Sequence, residues 1–162
     1  MFREMRRKKQ LIAPGECFEI LERNKIGFLA VSGDEGYPYT LPMNYSYARA
    51  PQSENDLGTL YLHCAPEGHK IEAIKRDPRV SFCVLNLAGV DPGNLNRRYR
   101  SVIAFGQARI VEGDEMIALR RDLHGPGRGD DADEPREANL RKHMVFIEVK
   151  IEHLSGKRSA RH

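Results

Sequence analysis

Val145, Ile147, Val149 and Ile151 share one parity near the end of the chain, while Glu148, Lys150 and Glu152 share the other. A period of two belongs to a β-strand with one face in a core and one face in water. Such a strand cannot bury its apolar side alone, so the remaining residues must supply a sheet.

Segments that could do so recur along the chain. Ile26–Ser32 is a short apolar run, Gly33-Asp34-Glu35-Gly36 is turn chemistry, and Tyr37–Tyr47 is rich in aromatic and β-branched residues, which reads as a hairpin. Pro38 and Pro42 cannot donate ladder hydrogen bonds, so the second arm is bent or at an edge. Gly58–Cys64 sets Leu60 and Leu62 against Thr59, Tyr61 and His63. Arg79–Leu87 carries Val80, Phe82 and Val84 on one face. Ser101–Glu112 is long, and Gly106 in its middle predicts a bulge or a sharp bend.

Helices interrupt these strands. Pro14–Lys25 begins at a proline suited to a first helical position and repeats Cys17, Phe18, Ile20 and Leu21 at helical spacing. Pro66–Arg76 shows Ile71 and Ile74 on one face and ends before Pro78. Asp114–Leu123 has Asp114 placed to cap it, and a last short helix spans Glu134–Lys142. Polar or Gly-rich loops are expected at Ala50–Leu57, Ala88–Arg98 and His124–Asp133. No internal repeat is visible. The order predicts a mainly β, α+β chain: a β-barrel with short helices packed at its ends, not a doubly wound parallel sheet.

The 162 residues suit one domain, and 40% hydrophobic with 30% charged content allows a core but no membrane protein. No apolar run is long enough to cross a bilayer, and the N-terminus lacks the apolar centre of a signal peptide. Residues 1–10 form a basic arm (Arg3, Arg6, Arg7, Lys8, Lys9), and residues 155–162 a basic tail. With a net charge of only +3, the arm reads as solvated, or as touching an anionic ligand or a partner subunit. It alone would support a nucleic-acid role, so no nucleic-acid partner is expected. Cys17, Cys64 and Cys83 form no CxxC pair, which argues against a disulfide scaffold or structural zinc and favours a reduced, cytoplasmic compartment.

The stretch Leu60-Tyr61-Leu62-His63-Cys64-Ala65-Pro66-Glu67-Gly68-His69-Lys70 carries the most chemistry. A strand ends, Gly68 lets backbone come close to something, and a helix begins. A helix start offers free N–H groups and a positive dipole end to a phosphate, and Lys70 adds a full charge. The alternative is an ordinary solvated helix start, since neither GxxxxGK[ST] nor GxGxxG occurs. His69 could bind phosphate or be exposed. His63 lies opposite Leu60 and Leu62, away from the core, as a reactive group or a surface residue. Asn44, between Met43 and Tyr45, is unfavourable in a strand, which marks either a specific amide contact or a bulge. Cys64 reads as core, not as a Cys–His nucleophile. The six histidines show no HxH or HExxH spacing, so no metal site is expected.

These residues resemble a known family. Gly36-Tyr37-Pro38-Tyr39 with Pro42-Met43-Asn44-Tyr45 is similar to the paired strands of the pyridoxamine 5′-phosphate oxidase-like superfamily. More narrowly, Leu60-Tyr61-Leu62-His63-Cys64-Ala65 followed by Glu67-Gly68-His69-Lys70 resembles the branch of nitroimidazole resistance (NimA-type) proteins. Tyr99-Arg100-Ser101-Val102, Phe105-Gly106 and Ile151-Glu152-His153-Leu154-Ser155-Gly156-Lys157 are similar to that branch's later motifs, and the likeness runs from about Lys9 to Lys157. It implies an FMN-binding split β-barrel of Greek-key type, 1–162 as one domain, and a homodimer with FMN at the subunit interface. It further implies that Lys70 and His69 hold the FMN phosphate. Met43, Asn44 and Tyr45 would then line the isoalloxazine, His63, Cys64 and Ala65 would run beside it, and Ser101 would add a contact. His63 matches a histidine at the reactive face. The Gly/Asp-rich segment 125–134, read as flexible, departs from the pattern.

The activity that follows is an FMN-dependent oxidoreductase acting on a small aromatic or nitro-aromatic acceptor, with His63 as the catalytic residue that positions it or gives it a proton. The alternative is a non-catalytic flavin- or haem-binding module for storage or sensing. Pyridoxamine phosphate oxidation itself is disfavoured, because the C-terminus offers only Lys157, Arg158 and Arg161 in place of an Arg-rich substrate motif.

Overall fold

The computed structural model describes residues 2–49, 56–87, 99–124 and 134–159. The loops expected at 88–98 and 125–133, and most of that at 50–57, lie outside the described residues.

The elements follow in the order α1 (Pro14–Arg23), β1 (Ile26–Ser32), β2 (Pro38–Asn44), β3 (Ser46–Ala48), β4 (Thr59–Cys64), α2 (His69–Arg76), β5 (Arg79–Leu87), β6 (Tyr99–Val111), α3 (Gly113–His124), α4 (Glu134–His143) and β7 (Val145–Arg158). The strands make one antiparallel sheet in the order β2-β1-β5-β6-β7-β4-β3. β2 and β3 are its two edges, yet only Tyr45 separates them in the chain. Consecutive Cα atoms are about 3.8 Å apart, so the sheet must curl until its edges meet. The result is a mainly β split barrel with a seam at Tyr45 and helices around it, the expected class.

The seam corrects the reading of Tyr37–Tyr47 as one strand. Tyr45 turns its side chain into the core, where its hydroxyl donates to the Leu21 carbonyl at 2.8 Å and its ring meets Phe82 edge-on at 5.0 Å. That anchor breaks the ladder and sends the chain from one edge to the other.

Alternation sorts the remaining side chains as expected. Leu29, Leu60, Leu62, Phe82, Val84, Val102, Ile147 and Val149 fill the barrel, and α1 closes it with Cys17, Phe18, Ile20 and Leu21. α2 adds Ile71, Ala73 and Ile74. Val111, Met116, Ile117 and Phe146 form a smaller core under α3 and α4, on the outer side of the sheet. The predicted irregularity at Gly106 is a β-bulge: Phe105 pairs with His153 but Gly106 with Ile151, leaving Glu152 as the extra residue. A Cβ at Gly106 would run into the Lys150 carbonyl, so only glycine fits there.

Some boundaries move. α2 begins at His69, not Pro66, because Gly68 takes φ +106°, a conformation that starts no helix for other residues. Asp114 lies in the first turn of α3, not at its cap, and is bound by Arg141 at 2.8 Å. Residues 155–158, expected in a tail, extend β7. Nor is the N-terminal arm wholly solvated. Phe2 stacks on His153 at 4.5 Å, and just past the arm Leu11 bridges to Lys157.

Candidate functional site

Most of the sequence-predicted residues gather where the seam meets the β4–α2 turn. The β3–β4 register pairs Ser46 with Tyr61 and Tyr47 with Leu60. Asn44, at the end of β2, and His63, in β4, are both exposed. Asn44 also pairs with Ile26 across the β1–β2 ladder. Met43 and Tyr45, in contrast, point into the core at 8% and 4% exposure, so they offer this surface only backbone. The parity of a strand forces this division.

His63 presents its ring to solvent and touches Phe146 only edge-on, with centroids 6.4 Å apart. On the same face, Arg109 is held by Glu148 and Glu115, each at 2.7 Å. Cys64 packs against the core. Burial pushes its thiol above the ordinary range, and the nearby Lys70 ammonium only partly opposes this. A thiol so held is a poor nucleophile at neutral pH, in keeping with its reading as core.

The turn fits a phosphate-bearing group. No side chain caps α2, and the Gly68 carbonyl takes the N–H groups of Ile71 and Glu72 at 2.9 and 3.3 Å. Among the described residues, no group accepts the N–H groups of His69 and Lys70. Space above Gly68 is open. Lys70 is half-buried and makes no ion pair with any described residue, and the His69 Nε2 is sealed from solvent without a hydrogen bond. Free donors, a cation without a counter-charge and a positive dipole end together describe an anion site. Among the described residues no cluster of three His, Cys, Asp or Glu side chains could hold a metal, and no helix is long and apolar enough to cross a membrane.

Ser101 stands apart. It is 9% exposed on β6, between Leu85 of β5 and Lys157 of β7. Around it the outer face is apolar: Ile26, Phe28, Leu85, Leu87, Ile103 and Phe105 are each between 36% and 59% exposed. This patch is the surface feature that the motifs alone do not reveal. Its signal was present, because β5 and β6 carry apolar residues on both parities, as strands buried on two faces do. Two clefts, of about 530 and 630 Å³, also open on the chain. One runs beside the β1–β2 turn and Phe105, the other between the N-terminal residues and β7. Neither includes His63 or Lys70.

The sequence profile of pyridoxamine 5′-phosphate oxidase matches residues 13–158. No curated protein matches the chain. Among solved structures, the chain is similar to an FAD-binding protein from Mesorhizobium loti, at 25% identity and a TM-score of 0.65, over 94% of this chain and 97% of that one. A candidate 5-nitroimidazole antibiotic resistance protein from Bacteroides thetaiotaomicron is also 25% identical, with a TM-score of 0.67 over 91% and 86%. The flavocytochrome Anf3 from Azotobacter vinelandii shares the fold, at 18% identity and a TM-score of 0.71 over 98% and 73%.

Proposed function

Because this chain belongs to the pyridoxamine 5′-phosphate oxidase family, a family of flavin-binding split barrels, we propose that it is an FMN-dependent reductase of a small aromatic or nitro-aromatic acceptor. The observation that carries this reading is the uncapped start of α2, where no described residue gives Lys70 a counter-charge or accepts two of the N–H groups. Lys70, His69 and those N–H groups take the phosphate. Asn44, His63, Cys64 and Ala65 border the isoalloxazine, and Met43 and Tyr45 contribute through their main chain. A bound flavin supplies the hydride or electron transfer. The chain's own part is to orient the acceptor and exclude water, with His63 holding or delivering a proton.

In this reading the protein works as one domain and assembles as a two-fold homodimer. The apolar outer face supports this, since contiguous exposed apolar patches on soluble chains mark association sites. A second copy laid there would close the open side of the seam and bring its own Ser101 toward the flavin. The rival reading is a flavin- or haem-binding module without turnover.

The test is an absorption spectrum of purified protein followed by a flavin titration. A yellow protein is expected, and Lys70→Ala should weaken FMN by about 1.5–3 kcal/mol, the range for a charge-assisted hydrogen bond, or roughly 10- to 150-fold. Unchanged FMN affinity in that variant would remove Lys70 from the phosphate role. A Soret band in place of a flavin spectrum would favour the haem module.

A further inference from the structure

The β1–β2 turn grips α2 at both ends. Asp34, in that turn, brings Oδ2 within 3.3 Å of His69 Nε2, and its Oδ1 accepts from Arg76 Nη2 at 3.2 Å. His69 and Arg76 are the first and last residues of α2. Seven positions apart, they lie on one helix face, about 10 Å from each other along the axis. The same Arg76 nitrogen donates to the Ser32 and Gly33 carbonyls at 3.0 and 3.2 Å. From the other side, the His69 ring stacks on Tyr39 with centroids 4.3 Å apart and planes at 18°.

As a source of stability this cluster is weak. Asp34 is 66% and Arg76 52% exposed, and exposed pairs contribute little. Its geometry is what makes it useful. The ring of His69 lies between the Asp34 carboxylate and the stacked face of Tyr39. Its Nε2 is buried 3.3 Å from that carboxylate. Tethering both ends of so short a helix also fixes its roll about its own axis. That roll decides where the His69 and Lys70 N–H groups and the Lys70 side chain point.

We propose that Asp34 is a positioning residue for phosphate recognition. With Tyr39 and Arg76 it holds the His69 ring and the start of α2 in the orientation that an anion requires. Such an outer support, a carboxylate behind a histidine, orients ligand-binding imidazoles at metal sites, and the same logic serves a phosphate. The proposal rests on the phosphate site described above and adds to it a residue 35 positions away in the chain. No local motif points to that residue.

The test compares FMN with riboflavin, which lacks the phosphate. The full chain, freed of flavin by dialysis, is titrated with each by fluorescence quenching, as wild type, Asp34→Ala and Lys70→Ala. Asp34→Ala is expected to raise the Kd for FMN five- to tenfold and to leave that for riboflavin within twofold. If the two affinities fall together, Asp34 merely holds the turn in shape and the proposal is overturned. An unchanged Kd for FMN overturns it as well. Lys70→Ala separates the two levels of the argument. If it preserves the preference for FMN over riboflavin, the phosphate site itself fails. If it removes the preference while Asp34→Ala does not, only the role of Asp34 fails.

Discussion

Replacing His63 by alanine separates a reductase from a flavin carrier, because the structure leaves this side chain so little else to do. The ring is exposed, makes no side-chain hydrogen bond to a described residue, and meets Phe146 edge-on at a centroid separation of 6.4 Å. Removing it empties no part of the core, so the folding free energy should change by less than about 0.5 kcal/mol, as for other surface substitutions. The N–H groups and ammonium at the start of α2 are also untouched, so FMN affinity should stay within about threefold. If His63 delivers a proton to the acceptor, turnover should still fall by about 10²-fold or more, the usual contribution of a placed acid–base group. The assay measures three quantities on the same preparations: urea unfolding, FMN titration, and acceptor reduction under a nicotinamide donor with FMN saturating. A parallel loss of FMN affinity and turnover would mean that His63 packs against the cofactor and does no chemistry. Turnover unchanged at saturating FMN would refute the catalytic role, and the binding-module reading would then stand ahead.

Two further outcomes test the assembly and the seam. Ile103→Asp sets a carboxylate on the apolar outer face; it should convert a micromolar dimer to monomers in light scattering, and a wild-type protein already monomeric would contradict the two-fold arrangement. Tyr45→Phe leaves the Leu21 carbonyl without its 2.8 Å donor; about 1–2 kcal/mol should be lost, lowering Tm by roughly 2–8 °C, and an unchanged Tm would show that the seam does not depend on this bond.

Strand parity was legible from the alternation of residue types wherever one face of a strand is buried and the other wet. Val145, Ile147, Val149 and Ile151 had to point inward, as did Leu60 and Leu62, and all six do. The same parity put His63 outside. Gly106 announced a bulge, because a residue without a side chain inside a long strand implies that another backbone passes close by. The start of α2 was legible in kind, from Gly68 and Lys70, although its first residue was not. The conformation of Gly68 determines that boundary, and residue type does not reveal φ.

What the sequence could not determine is whatever depends on which strands become neighbours. Pro38 and Pro42 marked Tyr37–Tyr47 as bent or at an edge, and both its strands are edges; that the inward anchoring of Tyr45 divides it and sends the two halves to opposite edges of one sheet was not legible. That closure joins Asn44 at one edge to the strand that pairs with β4 at the other, and Met43 and Tyr45 turn their side chains into the core. It also brings Asp34 and Tyr39 against His69, residues that no local pattern connects. Local chemistry is written in neighbouring residues, because parity and helical period act over two to four positions. A site assembled across a seam depends on the register between distant segments, and burial of the whole barrel sets that register.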